Sequence, residues 1–163
     1  MPPMANALDE IIAAKKDEVA ARKAAKPMAE LEAEVAQAEP PRNFFSAVTR
    51  HTPTERTAVI AEIKRKSPSA GWIREAYKPR ADGTDPFEPE VIARRYHAAG
   101  AAAISCLTDG PFFGGSLSYI ERVKAAVPMP VLRKDFIVDQ WQLWESRAAG
   151  ADAVLLIAEC LTE

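Results

Sequence analysis

Three charged residues stand where two apolar segments end. Glu62 and Lys64 close TAVIAEIK (57–64), and Lys134 lies near the end of VLRKD (131–135). If both segments are strands, alternation puts Ile60, Glu62 and Lys64 on one face. In the second segment Leu132 and Lys134 share a face, while Arg133 and Asp135 point the other way. A carboxylate and two ammonium groups brought together can transfer protons and hold an anion. Burying any of them unpaired on a strand is costly, so each must be paired or lie at an open mouth. In barrels of alternating strands and helices, that mouth is at the strands' C-terminal ends. Spacing alone leaves a second reading open, a Glu–Lys pair at a rim with no chemical role.

Other candidates carry weaker signals. Ser67, Ser69 and Gly71 follow the first strand and form a turn able to donate hydrogen bonds to a phosphate. The spacing of a P-loop is absent. Phe112 and Phe113 precede Gly114, Gly115 and Ser116 on a strand-to-helix loop, where a flat aromatic ligand could stack or a hydrophobic lid could form. Trp141 and Trp144 sit three apart on a helix and are read as packing. His51 and His97 have no carboxylate or serine at telling spacing and are read as surface or helix residues. Cys106 and Cys160 lie in apolar runs and are read as reduced core thiols. Neither shows metal-ligand spacing, so no metal is expected.

The elements that must position these groups are legible in outline. Residues 5 to 22 read as an amphipathic helix, with Leu8, Ile11, Ile12, Lys15 and Val19 at helical spacing. A second helix covers 27 to 37 and ends before Pro40 and Pro41; Phe44, Phe45 and Val48 suggest a short third. Strands are expected at 57–64, 101–107, 131–135 and 153–158. Helices are expected over the segment ending at Gly100, over 117–126 with Ser116 as a cap, and over 139–149 ending at Gly150. Arg74 to Glu88 is polar, carries two prolines and a glycine, and reads as a long loop. Four strands alternating with three helices imply a parallel sheet with crossover helices.

Composition excludes several classes. A net charge of -2 over 163 residues gives no reason to expect nucleic acid or an anionic membrane as partner. No apolar run approaches the roughly 20 residues of a membrane span. The N-terminus lacks a basic start and an apolar core, so a cytoplasmic location is expected. A small anionic substrate needs only a local cluster of cations.

IAEIKRKSPSAG, AISCLTDGPFFGGS and VLRKDFIVDQWQLWESRAAGADAVLLIA resemble indole-3-glycerol phosphate synthase, in order and in spacing. LDEIIAAKKDEVAARKAAKPMAELE resembles that family's extra N-terminal helices. The resemblance runs from Ala5 to Glu163. It implies an α/β fold, a partial (β/α)8 TIM barrel, with a helical extension over 1–50 and the first four barrel strands over 51–163. It implies closure of the ring of 1-(2-carboxyphenylamino)-1-deoxyribulose 5-phosphate with loss of CO2 and water, a carboxy-lyase step in tryptophan biosynthesis. By resemblance Lys134 is the general acid, Lys64 the cation for the substrate's anionic end, and Glu62 the partner that orients and charges the lysines. Ser67 is a substrate contact, and Phe112 and Phe136 are walls of an aromatic pocket. No cofactor is implied. The loop from Arg74 to Glu88 is longer than the family's usual mobile lid, which bears on closure.

A complete barrel of this kind needs roughly 250 residues and eight strands. The resemblance assigns a glutamate, an asparagine and the phosphate loops to a second half beyond Glu163. The chain is therefore read as truncated and expected to have little or no synthase activity alone. A half-barrel leaves edges that a second copy or a complementary C-terminal half would cover. The alternatives are a non-enzymatic half-barrel and another phosphate-binding barrel, such as phosphoribosylanthranilate isomerase.

Overall fold

The computed structural model describes residues 4–49 and 57–161. Three helices come first: α1 (Met4–Ala25), α2 (Met28–Gln37) and α3 (Phe44–Thr49). Pro27 stands before α2 in extended backbone, as expected of a residue that pre-sets its own φ. Next come β1 (Ile60–Ile63), the two-residue strands β2 (Lys66–Ser67) and β3 (Gly71–Trp72), and a 3-10 turn at Glu75–Tyr77. The rest alternates: α4 (Pro89–Ala98), β4 (Ala103–Leu107), α5 (Ser118–Ala126), β5 (Val131–Lys134), α6 (Trp141–Ala148) and β6 (Ala153–Val154). A 3-10 turn at Ala158–Cys160 follows.

The main sheet has the order β1-β4-β5-β6, and every neighbouring pair is parallel. Each strand lies beside the next one of this sheet in the chain and is joined to it by a helix, which is the arrangement of successive units in a (β/α)8 barrel. β4 has neighbours on both sides and all five of its residues are buried. One sheet face supplies Ile63, Ile104, Cys106 and Val131 to a core shared with Ala93 of α4 and Tyr119, Ile120 and Val123 of α5. Burying a side chain such as Ile120 or Val123 stabilises by about 1.5–3 kcal/mol. This face is filled by packing. Gly100 and Gly150 have φ of 83° and 87° and end α4 and α6 in the left-handed conformation.

The N-terminal helices are bound to these units. Val19 and Leu31 pack with Trp141 of α6, whose indole N–H donates to Lys26 O at 3.1 Å. The Arg42 guanidinium donates to the carbonyls of Lys124, Val127 and Met129 at 2.7–2.9 Å and so caps the C-terminal end of α5.

Several elements differ from expectation. The first strand narrows from 57–64 to Ile60–Ile63, and the last from 153–158 to Ala153–Val154. β6 pairs with β5 over two residues, Leu132 with Ala153 and Arg133 with Val154, and has no second neighbour among the described residues to extend it. The turn after β1 proves to be a small antiparallel hairpin that pairs Lys66 with Trp72 and Ser67 with Gly71. Two-residue strands carry no period a sequence could display. Trp141 is 2% exposed and packs as expected, but Trp144 is 39% exposed. His97 is exposed on α4, whereas His51 and the boundary at 50/51 lie outside the described residues. Cys106 and Cys160 are buried and unpaired, and burial pushes the Cys106 thiol up to about 12. No helix is long and apolar enough to cross a membrane among the described residues.

Candidate active site

Glu62 and Lys64 leave β1 on the face opposite buried Ile63. The Lys64 ammonium lies 2.9 Å from Glu62 Oε1, with side chains 33% and 37% exposed. An ion pair this open is worth about 0–1 kcal/mol, too little to explain two charged groups here as a stabilising device. The strand register sets their relation to Lys134. Glu62 is paired with Ser105, Ile63 with Cys106, and Leu107 with Lys134. Lys64, one residue past Ile63, is therefore level with Leu107 and with Lys134. Two strand spacings separate the two lysines, about 10 Å between Cα atoms. Lys134 is half-buried and belongs to none of the ion pairs among the described residues.

Ser67 lies on β2, where its hydroxyl accepts a hydrogen bond from Ala70 N at 3.2 Å and lies 3.5 Å from Ser69 Oγ. It braces the hairpin turn at the tip of β1. Phe112 and Phe136 are both half-buried in loops after β4 and β5. The ring that meets Phe136 is Phe113, at 6.1 Å between centroids and 39° between planes. Sequence reasoning placed both phenylalanines on this loop, and the resemblance singled out Phe112; spacing cannot tell which of two adjacent rings meets Phe136.

Beneath these groups lies a buried ionic cluster. Arg133, on the core side of β5, donates to Asp135 Oδ2 at 2.9 Å, Glu145 Oε2 at 2.8 Å and Ser146 Oγ at 3.0 Å. Asp135 also accepts from the Thr108 hydroxyl at 2.6 Å and from Phe136 N at 2.8 Å. Burial alone would raise the Asp135 carboxyl. Arg133, then Lys15, and the hydrogen bonds from Thr108 and Arg133 outweigh it and hold the carboxyl below its ordinary range. Lys15 of α1, 2% exposed, places its ammonium 2.7 Å from Glu18, 3.0 Å from Asp109 and 3.0 Å from Asp135. Sequence alone gave one signal for it: a lysine on the apolar stripe between Ile11 and Val19. Asp109 follows β4 closely and Asp135 follows β5, and no pattern in the sequence singles out either one.

Arg65 fixes the neighbouring loops. It donates to Gly114 O at 2.5 Å and to Asp85 at 2.6 Å, and lies over the rings of Trp72, Phe87 and Tyr119 at 5.3–5.9 Å. The long loop is therefore tied at its Asp85 end to β1 and α5, a tie that Tyr119 OH reinforces at 3.2 Å. Gly115 lies against the end of β4: a Cβ there would come 2.5 Å from Leu107 O and 2.7 Å from Thr108 C, both backbone atoms. Gly115→Ala should therefore cost about 1–3 kcal/mol, because overpacking against backbone is not relieved by a rotamer change. Urea denaturation checks this, and an unchanged midpoint would contradict it.

Among the described residues no group of three or more His, Cys, Asp or Glu could hold a metal ion. The strand tips present two ammonium groups and a carboxylate, groups of the kind that transfer protons and hold anions, beside the Phe113 and Phe136 rings.

The sequence matches the family model described as Indole-3-glycerol phosphate synthase over residues 8–163. Three proteins named indole-3-glycerol phosphate synthase illustrate the similarity. That of Rhodospirillum rubrum is 49% identical over 160 residues, covering 98% of this chain and 57% of that protein. That of Aromatoleum aromaticum is 48% identical over 158 residues, covering 97% and 56%. That of Azoarcus sp. is 50% identical over 160 residues, covering 98% and 56%. The chain thus spans somewhat more than half the length of these relatives. On the match over 8–163, with these identities and the succession of parallel β/α units, the chain belongs to the indole-3-glycerol phosphate synthase family.

Proposed function

We propose that this chain carries the Lys–Lys–Glu part of an indole-3-glycerol phosphate synthase site. The substrate is 1-(2-carboxyphenylamino)-1-deoxyribulose 5-phosphate, and the reaction closes its ring with loss of CO2 and water. The observation that carries the reading is Lys134, half-buried, outside the ion pairs among the described residues and level with Lys64. In the first step the aromatic carbon bearing the carboxylate attacks the ribulose carbonyl carbon. Lys134 gives its proton to the carbonyl oxygen, which becomes a hydroxyl. Lys64 holds the carboxylate close to the reacting carbon by charge. The carboxylate leaves as CO2, its bonding electrons returning to the ring. The hydroxyl then leaves as water after taking a proton, while the ring loses one. Glu62 orients the Lys64 ammonium through their 2.9 Å contact. Phe113 and Phe136, packed on one another, form one wall beside the aromatic ring, with Phe112 next to them, and Ser67 contacts the substrate from the hairpin.

The partner on this reading is a complementary set of β/α units. Ile60 on the edge strand β1 is 46% exposed, and Leu156 just past β6 is 53% exposed, so apolar surface is open at both edges. The phosphate would be held by that second set. A half-barrel that only pairs with itself is the competing reading. A steady-state assay of indole-glycerol phosphate formation separates them. The 163-residue polypeptide alone should give little or no turnover, and adding the complementary units of a relative should restore it. Near-normal turnover by the polypeptide alone contradicts the need for a second set. A stable dimer that gains no activity from those units contradicts the synthase reading.

A further inference from the structure

We propose that Lys15 is a positioning residue for the strand-tip site, acting from α1 through two buried carboxylates. The inference rests on the function proposed above for what is positioned, but the juxtaposition itself does not. The Lys15 ammonium is the shared counter-charge of Asp109 and Asp135, at 3.0 Å from each. Each of these carboxylates in turn shapes one loop. Asp109 Oδ1 accepts from the backbone N–H of Phe112 at 2.9 Å and of Phe113 at 3.1 Å. Asp135 Oδ1 accepts from the backbone N–H of Phe136, two residues past Lys134. One buried ammonium therefore ties together the aromatic loop after β4 and the turn that directly follows the proposed acid.

The geometry is specific to a cation. Asp109 Oδ2 is buried and makes no hydrogen bond among the described residues, leaving the Lys15 charge as its compensation. Asp135 has Arg133 as well, so the two carboxylates depend on Lys15 unequally. The other charged groups around the cluster are Glu18 and Arg22 on α1 and Glu145 on α6, with Arg22 2.5 Å from Glu145. A stabilising helix contact alone would be met by an apolar residue in the same stripe. A lysine there serves the loops that its partners hold.

The test is amide hydrogen exchange on the whole chain, comparing Lys15→Met with the charge-balanced Lys15→Met/Asp109→Asn. In Lys15→Met, exchange at Phe112, Phe113 and Phe136 should rise by about tenfold or more relative to Ile104, Val123 and Val131. In the double variant, which keeps an acceptor oxygen at position 109, protection at Phe112 and Phe113 should return. If Lys15→Met does not fold, a folded double variant with those amides protected still supports the assignment. A uniform rise across the core amides, no rise at all, or no recovery in the double variant would overturn it. The unmodified chain is also titrated with N-methylanthranilate. Lack of binding there counts against the proposed function, whereas the amide pattern decides on Lys15.

Discussion

Replacing Lys134 by Met should lower synthase turnover by about 10²–10⁴-fold, the range general acid catalysis spans. The assay is run on this chain completed by the remaining β/α units of a relative. The fold should survive, because Lys134 is half-buried and joins none of the ion pairs among the described residues. Circular dichroism and the urea midpoint should match the parent. Lys64→Met should act differently: it removes the cation for the substrate carboxylate, so KM rises along with any loss in kcat. Equal kcat for the parent and the Lys134 variant would remove the general acid from the account.

The largest effect on stability is expected at the neighbouring residue. Arg133→Met leaves Asp135 and Glu145 buried with a lost partner, and removing one member of a buried ion pair costs about 3–5 kcal/mol. For a chain of this size that corresponds to a fall in Tm of roughly 6–20 °C. Lys15 still faces Asp135 and Arg22 still faces Glu145, which keeps the loss toward the lower end. The same cluster sets an acid limit. The Asp135 carboxyl lies below its ordinary value in the folded chain, so the unfolded chain takes up that proton first. Its contribution is complete above about pH 4 and is lost as pH falls through the folded value. Arg133→Met should therefore show a shallower loss of stability below that pH than the parent does. A parallel loss in both would contradict the assignment.

Lys134 and Arg133 are adjacent, and their contrast shows what a sequence can and cannot reveal. Strand alternation separated them correctly, because a period of two is imposed by the backbone itself. It could not say which charged groups would gather around Arg133, since Glu145 arrives from α6 and Lys15, which shares Asp135 with it, comes from α1, 118 residues earlier. Lys15 stood in plain view on an apolar stripe, but helical spacing cannot tell a buried lysine from one that snorkels outward. The apolar runs located every strand of the main sheet, and Gly100 and Gly150 marked two helix ends. Strand ends were less legible because they depend on the neighbouring strands, and β6 has one neighbour among the described residues. Glu62, Lys64 and Lys134 were legible because charge is rare on a parallel strand. The contact of Phe113 with Phe136 was not, because it depends on a loop shaped by Asp109.

Lys64 and Lys134 should serve one ligand from two strands. Both ammonium groups can be followed by NMR while the chain is titrated with a reduced substrate, an N-(5-phosphoribityl)anthranilate. Both resonances should shift along one binding curve, and that of Lys23, paired with Asp139, should not follow them. Separate curves, or a Lys134 signal that stays fixed while Lys64 moves, would contradict it.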